Sequence, residues 1–218
     1  MKKAIISLSG GLDSTTCLAW SINKGYKCFA VTFDYGQRHI KEIKAAKNVS
    51  NFYNVPLVEI KLKFPWLEVS SLVNPDKKIP DLKYKDIISG RIPSTYVPAR
   101  NLVFTSILAS YADSIAADFI VLGPNAIDYS GYPDCRPEFY EQLGKAIKLG
   151  TRNKNIKILT PIINLSKFEI VKLAYKFNAP LKYTWSCYYG DKKPCGRCDS
   201  CKLRAKGFKE AGVIDPAL

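Results

Sequence analysis

The first twenty residues commit the chain to a strand that turns sharply into a helix. Ala4-Ile5-Ile6-Ser7-Leu8 is an apolar run long enough for one buried strand, and Thr15-Thr16-Cys17-Leu18-Ala19-Trp20 can open a helix. Between them stands Ser9-Gly10-Gly11-Leu12-Asp13-Ser14. Two glycines let the backbone turn tightly and approach a ligand with no Cβ in the way. The N–H groups that open the following helix have no internal partners, and the helix dipole is positive there. Strand, glycine turn and helix start together make an anion cradle, to which Ser9, Ser14 and Thr15 add hydroxyl donors. Two common phosphate loops do not fit. No lysine lies between Lys3 and Lys24, so the Walker pattern is missing, and the dinucleotide fingerprint lacks its third glycine.

The rest of the chain repeats the strand–helix alternation. Tyr26–Phe33 and Leu57–Leu62 read as strands, as do Phe119–Leu122 and Ile156–Leu159. Ile43, Ala46, Val49 and Tyr53 recur at helical spacing within Ile40–Tyr53. Asn101–Ala117 is apolar on most sides and reads as a buried helix, and Pro137–Leu149 as another. Ser166–Phe177 is the clearest helix, with Ser166 and Glu169 spaced for a capping box and Leu165 placed to staple against Ile170. The pattern predicts an α/β protein with a doubly wound parallel sheet. Ligands of such sheets bind outside the carboxyl ends of the strands. Ser9–Ser14, Asp34–His39 and Gly123–Arg136 follow three such ends, so one crevice should collect all three loops. The expected organisation is a main domain over 1–180, interrupted by a proline-rich insertion or lid at 64–98, and a C-terminal segment over 181–218 packed on the same domain.

Composition narrows the function. With 218 residues and 47% apolar side chains the chain can bury a sizeable core. No apolar stretch approaches the ~20 residues of a membrane span. Only five mostly apolar residues separate Met1-Lys2-Lys3 from Ser9-Gly10-Gly11, too few for a signal peptide, so a cytoplasmic protein is expected. The net charge of +14 comes chiefly from scattered lysines, which read as solvated surface rather than a nucleic-acid face. Arginine suits fixed recognition of phosphate or carboxylate, and Arg38, Arg100, Arg136, Arg197 and Arg204 lie in segments that look functional on other grounds.

Seven cysteines in a reducing compartment do not suggest disulfides. Cys187-x7-Cys195-x2-Cys198-x2-Cys201 offers four thiolates, with Gly190, Pro194 and Gly196 to fold the loop around an ion. Tetrahedral sulfur coordination suits one structural zinc; an iron–sulfur cluster uses similar spacing. Arg197 and Arg204 stand beside this site in sequence, where they would offset its negative charge.

Several segments match one family together. The loop Ser9-Gly10-Gly11-Leu12-Asp13-Ser14 resembles the pyrophosphate loop of the ATP pyrophosphatases, enzymes that split ATP between the α and β phosphates. It is joined by Asp34-Tyr35-Gly36-Gln37-Arg38-His39 with Glu42, and by Val97-Pro98-Ala99-Arg100-Asn101. The longest match, Asp128-Tyr129-Ser130-Gly131-Tyr132-Pro133-Asp134-Cys135-Arg136, is followed by Trp185-Ser186-Cys187 through Cys195, Cys198, Cys201 and Arg204. In this order, from Met1 to about Phe208, the set resembles the 7-cyano-7-deazaguanine synthase family.

That resemblance implies an adenine nucleotide alpha hydrolase-like, Rossmann-like fold with a C-terminal zinc subdomain. It implies an ATP-dependent ligase that turns 7-carboxy-7-deazaguanine and ammonia into the nitrile, in queuosine or archaeosine precursor synthesis. ATP would sit on Leu8, Ser9, Gly10, Gly11, Leu12, Asp13, Ser14, Thr15, Thr16, Cys17 and Leu18, with Asp13 orienting Mg2+ through water. Thr32 and Phe33 would meet adenine through backbone groups, and Arg100 a phosphate or the substrate carboxylate, or else be a plain salt-bridge partner at a helix start. Asp128–Arg136 would shape the deazaguanine pocket, with Asp134 an acceptor for the guanine edge. Asp13, Arg100 and Asp134 are thus the candidate catalytic set. Cys187, Cys195, Cys198 and Cys201 would hold Zn2+, one per chain. His39 reads as a helix-start hydrogen bonder or a catalyst, Cys135 as a packing cysteine or a nucleophile, and Tyr129 and Tyr132 as core or pocket aromatics. The expected partners are small molecules, with no stable nucleic acid and no membrane, and the expected assembly is a homodimer. A tRNA-modifying pyrophosphatase of the thiolase or lysidine type would use the same loop, but usually carries an added RNA-binding domain. A glutamine-fed amidotransferase would need a glutaminase domain, and a noncatalytic zinc-stapled nucleotide-binding module is the remaining rival.

Overall fold

A computed structural model describes residues 1–38, 40–189 and 192–218, with the backbone alone at 129 and 130. Five strands, β1 (Lys3–Ser7), β2 (Lys27–Asp34), β3 (Leu57–Lys61), β4 (Phe119–Val121) and β5 (Lys157–Leu159), form one parallel sheet in the order β3-β2-β1-β4-β5. Ala4 of β1 stands opposite Cys28 of β2 and Phe119 of β4, so β1 is central and the order reverses between it and β4. Eight helices complete the fold among the described residues: α1 (Leu12–Asn23), α2 (Lys41–Phe52), α3 (Tyr84–Ile87), α4 (Arg100–Ser114), α5 (Asp128–Gly131), α6 (Pro137–Gly150), α7 (Lys167–Lys176) and α8 (Asp199–Glu210). The doubly wound parallel sheet expected from the alternating pattern is the fold observed.

Period-two alternation along β1 feeds two cores. Ala4, Ile6 and Leu8 point to one side, where they meet Leu18 of α1, Val49 of α2, Ile170 and Ala174 of α7, and Phe208 of α8. Ile5 points to the other, against Leu108 and Ala112 of α4 and Leu143 and Ile147 of α6. Burial on both faces explains the uninterrupted apolar runs of the strands.

Helix ends follow from local chemistry. The capping box of α7 is present: Glu169 N donates to Ser166 Oγ at 3.3 Å and Ser166 N to Glu169 Oε2 at 2.8 Å. Left-handed residues follow the C-caps of α1, α2, α4, α7 and α8, at Gly25, Asn54, Ala116, Asn178 and Gly212. Each is part of a reversed pair of bonds, such as Val55 N to Ser50 O and Asn54 N to Asn51 O, which satisfy the last carbonyls. The α4 helix therefore stops at Ser114, short of the expected Ala117, because Ala116 (φ 50°) turns the chain back.

The 64–98 stretch contains one 3-10 turn (Pro65–Val69) and α3, and it is tied down at several points. Ser71 N donates to Ser94 O, and Arg38 N to Leu72 O. Leu82 N donates to Asp199 Oδ1 at 3.0 Å, and Lys202 Nζ reaches Asp81 Oδ1 at 2.5 Å. Ile79 packs against Cys187, Cys198 and Cys201. The 181–218 segment also joins the main body. Phe208 enters the first core. Gly207 sits so close to α7 that a Cβ there would lie 2.8 Å from Lys167 Cβ. No helix among the described residues is long and apolar enough to cross a membrane.

Candidate active site

The turn after β1 is built by two glycines with different tasks. Gly10 has φ +82°, and a Cβ on it would come within 2.4 Å of Ala46 N and 2.5 Å of Glu42 O. It lets α2 approach the loop. Gly11 is the N-cap of α1, and a Cβ there would meet nothing nearer than 3.5 Å. That is ordinary contact with Ser9 Oγ and Trp185 O, and Gly11 lines the cleft. Ser9 Oγ and Ser14 Oγ are 3.0 Å apart, and Ser14 Oγ also donates to Gly11 O at 3.3 Å. Leu8, Ser9, Gly11, Leu12, Asp13 and Ser14 all line a cleft of about 270 Å³ at the carboxyl ends of β1, β2 and β4. Thr15, Thr16, Cys17 and Leu18 are buried inside α1. Thr16 Oγ1 bonds Leu12 O at 2.8 Å, and Cys17 Sγ points to Leu122 O with its thiol pushed up by burial.

Opposite the loop stands a group that sequence reasoning left among solvated surface. Lys167, the first residue of α7, reaches Asp13 Oδ2 at 2.5 Å, with side chains only 13% and 25% exposed. Asn125, in the loop after β4, donates from Nδ2 to Asp13 Oδ2 at 3.3 Å and to Asp128 Oδ2. Its backbone N also donates to Asp128 Oδ2, at 3.2 Å. Burial, with Asp13 nearby, pushes the Asp128 carboxyl up to about 6 despite the opposing Lys167 charge. Burial disfavours the charge on Lys167, but Asp13 and Asp128 more than offset this and its pKa is raised. Asp13 Oδ1 and Thr15 Oγ1 are buried with no hydrogen-bond partner among the described residues. The one sequence hint of Lys167 was negative: a phosphate loop without its own lysine leaves room for a cation from elsewhere.

Arg100 opens α4 behind Ala99, whose φ of 50° is unusual for a residue with a side chain. Its guanidinium bonds Tyr35 OH at 3.2 Å and lies 5.8 Å from that ring's centroid. Burial pushes the Tyr35 phenol up to about 12. Among the described residues, Arg100 is the cation on the cleft with no carboxylate ion pair: Lys167 holds Asp13, and Arg204 makes a two-point contact with Asp215 at 2.5 and 2.8 Å while Nη1 donates to Ser186 Oγ. Phe33 stacks on Phe104 with centroids 3.8 Å apart, and Thr32, Phe33 and Phe104 share the same wall. The Phe33 carbonyl already accepts Gln37 Nε2 at 2.9 Å.

The Asp128–Arg136 loop divides between cleft and scaffold. Asp128, Tyr132 and Cys135 line the cleft. Tyr132 OH pairs with Thr95 Oγ1 at 2.8 Å. Cys135 Sγ accepts Asn101 Nδ2 at 3.1 Å, and burial drives its thiol up, which holds it in the weakly nucleophilic protonated form. Asp134 is turned toward the start of α4, where Oδ2 accepts Asn101 N at 2.8 Å, and it lies off the cleft lining. Arg136 and Arg197 are exposed, and Arg197 stacks over Tyr189. Arg38 Nη1 bonds Lys77 O. His39, Gly190 and the Tyr129 side chain lie outside the described residues.

The sulfur atoms of Cys187, Cys195, Cys198 and Cys201 all lie within 4.8 Å of one another, a set that could hold one metal ion. Cys195 N donates to Cys187 Sγ and Cys198 N to Cys195 Sγ, both at 3.3 Å. The loop is joined to the cleft by Trp185, whose N–H donates to Gly10 O at 2.9 Å and whose indole N–H donates to Cys187 O at 2.9 Å.

A doubly wound sheet with a strand–Gly-Gly–helix turn at its reversal point, walled by paired charges, defines an α/β protein with a cradle suited to anions at its topological switch point. Within that class the chain belongs to the QueC family: the family model described as Queuosine biosynthesis protein QueC matches residues 3–212. Relatives named 7-cyano-7-deazaguanine synthase are 51% identical in Acetivibrio thermocellus, covering 99% of this chain and 96% of that one, and 49% identical in Thermoplasma volcanium, covering 99% and 90%. Among solved structures, NMN synthetase from Francisella tularensis shares the fold with a TM-score of 0.51 at 18% identity, covering 98% of this chain and 73% of that one. A predicted subunit of tRNA methyltransferase from Methanocaldococcus jannaschii does so with a TM-score of 0.50 at 19% identity, covering 99% and 90%.

Proposed function

We propose that this chain is an ATP-dependent ligase that converts 7-carboxy-7-deazaguanine and ammonia to 7-cyano-7-deazaguanine. One observation carries the reading. The phosphate loop, Arg100 and the Asp128–Cys135 loop, far apart in sequence, wall one cleft in a chain about half identical to synthases of that name. A carboxylate is a poor electrophile, because its leaving group would be oxide. Transfer of AMP from ATP to a carboxylate oxygen expels pyrophosphate and gives an acyl adenylate. Ammonia adds to the acyl carbon, AMP departs with the bridging oxygen, and a nitrogen proton is lost to give the amide. A second adenylation, on the amide oxygen, lets that oxygen leave as AMP with loss of both N–H protons, leaving the nitrile. Such chemistry rests on positioning and charge neutralisation rather than a protein nucleophile.

In this reading Ser9, Gly11, Ser14 and the N–H groups opening α1 hold the phosphates, and Lys167 supplies the cation that the loop lacks. Arg100 takes the substrate carboxylate or the phosphate being transferred. Asp134 acts on Asn101, and through it on the wall of the deazaguanine pocket. The buried, unpartnered Oδ1 of Asp13 fits a hydrated magnesium ion. When bound, that ion would neutralise charge on the phosphates. The four-sulfur loop suits zinc: one tetrahedral ion with bonds of ~2.3 Å spaces its sulfurs about 3.8 Å apart, and Cys195 Sγ and Cys201 Sγ stand at 4.0 Å. A cluster puts several irons among its sulfurs and spreads them wider. The residues 1–180 and 181–218 would act as one body, in the cytoplasm, as a homodimer, with no nucleic-acid partner. Incubation with ATP, ammonium and 7-carboxy-7-deazaguanine should yield the nitrile mass; its absence with active relatives run in parallel would reject the assignment.

A further inference from the structure

Resting on the proposed use of ammonia, we propose that a second cavity beside the cleft is the port through which ammonia reaches the activated carboxyl. Three reactants must meet in one cleft. A nucleotide on the phosphate loop and a fused-ring acid beside it fill the cleft before the third is needed. The second cavity, of about 240 Å³, has a separate rim at Tyr84 and Ile88, and it shares two wall residues with the cleft, Lys167 and Leu203. Ala126 and Ile127, in the same loop as Asn125 and Asp128, also line it.

The partition falls where the chemistry requires it. Lys167 presents its ammonium to Asp13 at 2.5 Å, so the shared wall stands at the phosphate loop, beside the place where an adenylate would carry its phosphorus. Ser166 Oγ and the Glu210 carboxylate line this cavity and can accept hydrogen bonds from an incoming ammonium in place of water. Lys206 is held by Glu210, which leaves the rim without an uncompensated positive charge to repel a cation. A wall of two side chains between helices α7 and α8 bars a nucleotide or a fused ring, whereas a water-sized molecule needs only a rotamer change in Leu203.

The reaction itself supplies the control, because the amide-to-nitrile half consumes no ammonia. Ala126→Leu and Ile88→Trp, at two lining positions far apart in sequence, narrow this cavity while leaving every residue of the cleft lining in place. With the carboxylate substrate each should raise KM for ammonium about tenfold, with kcat at saturating ammonium and KM for ATP changed less than about twofold. With the synthetic amide, turnover should stay at the wild-type level. Unchanged KM for ammonium in both variants would overturn the port, and so would an equal loss on the amide. If instead the wild-type protein makes nitrile from the amide but none from carboxylate and ammonium, the ammonia reading fails and the port falls with it.

Discussion

Lys167 and Asp13 meet across 154 residues of chain, and the cleft depends on their pairing. Removing one partner of a sheltered pair leaves the other charge without its counter-ion, a cost we put at about 2 kcal/mol after allowing for their partial exposure. Asp13→Asn and Lys167→Met should each lower the stability measured by urea unfolding, and the double variant should be less destabilised than the sum of the two. All three should lose turnover at least a hundredfold, since the charges serve the phosphates. Additive destabilisation would show that the pair does not couple. Asp128 gives a prediction of opposite sign. Its carboxyl titrates near 6 in the fold, above the ordinary ~3.9. The folded state therefore favours the protonated form. The carboxylate costs stability once pH rises past the unfolded value, and the cost is complete above the folded one. Asp128→Asn should stabilise the protein by about 3 kcal/mol at pH 7.5, an advantage that fades between pH 6 and 4, while activity falls. A stability difference independent of pH would contradict this.

At the scale of elements, the strand–turn–helix unit separates two adjacent glycines. Gly10→Ala must push against the backbone of α2 at a positive φ, so it should destabilise the fold by about 3 kcal/mol. Gly11→Ala meets only Ser9 Oγ and Trp185 O at ordinary contact distance, so thermal unfolding should barely change while ATP binding, followed by calorimetry, is lost. Equal melting temperatures for the two would contradict the division of labour. This unit was legible in sequence because apolar periodicity, two glycines and a helix start coincide within eleven residues. The α7 cap was legible for the same reason. The α8 helix was not, because its buried side is made by Cys201, Arg204, Gly207 and Phe208, a face held by sulfur, an ion pair and close approach rather than by aliphatic side chains. Lys167 escaped notice because a lysine opening an amphipathic helix reads as surface; only packing of α7 beside α1 turns it inward. Asp134 reads as a pocket acceptor until the fold sets α4 over it and gives its carboxylate a helix N-terminus to cap.

For the molecule as a whole, the cysteine loop and the cleft form one unit. Trp185 bonds Gly10 on one side and Cys187 on the other, Arg204 bonds Ser186 and Asp215, and Ile79 of the 64–98 stretch closes over the sulfurs. Metal binding in such a loop is coupled to folding. Elemental analysis should find one zinc per chain, and Cys198→Ser should lose it together with much of the thermal stability and with ATP affinity; iron with visible absorbance would contradict the zinc assignment. The central claim is adenylation, applied twice. It is tested most directly by 18O in the carboxylate of 7-carboxy-7-deazaguanine, followed by mass spectrometry of the nucleotide products. The account predicts 18O in AMP, two AMP and two pyrophosphate per nitrile, and one AMP per nitrile from the amide. Unlabelled AMP, or ADP and phosphate in its place, would contradict it.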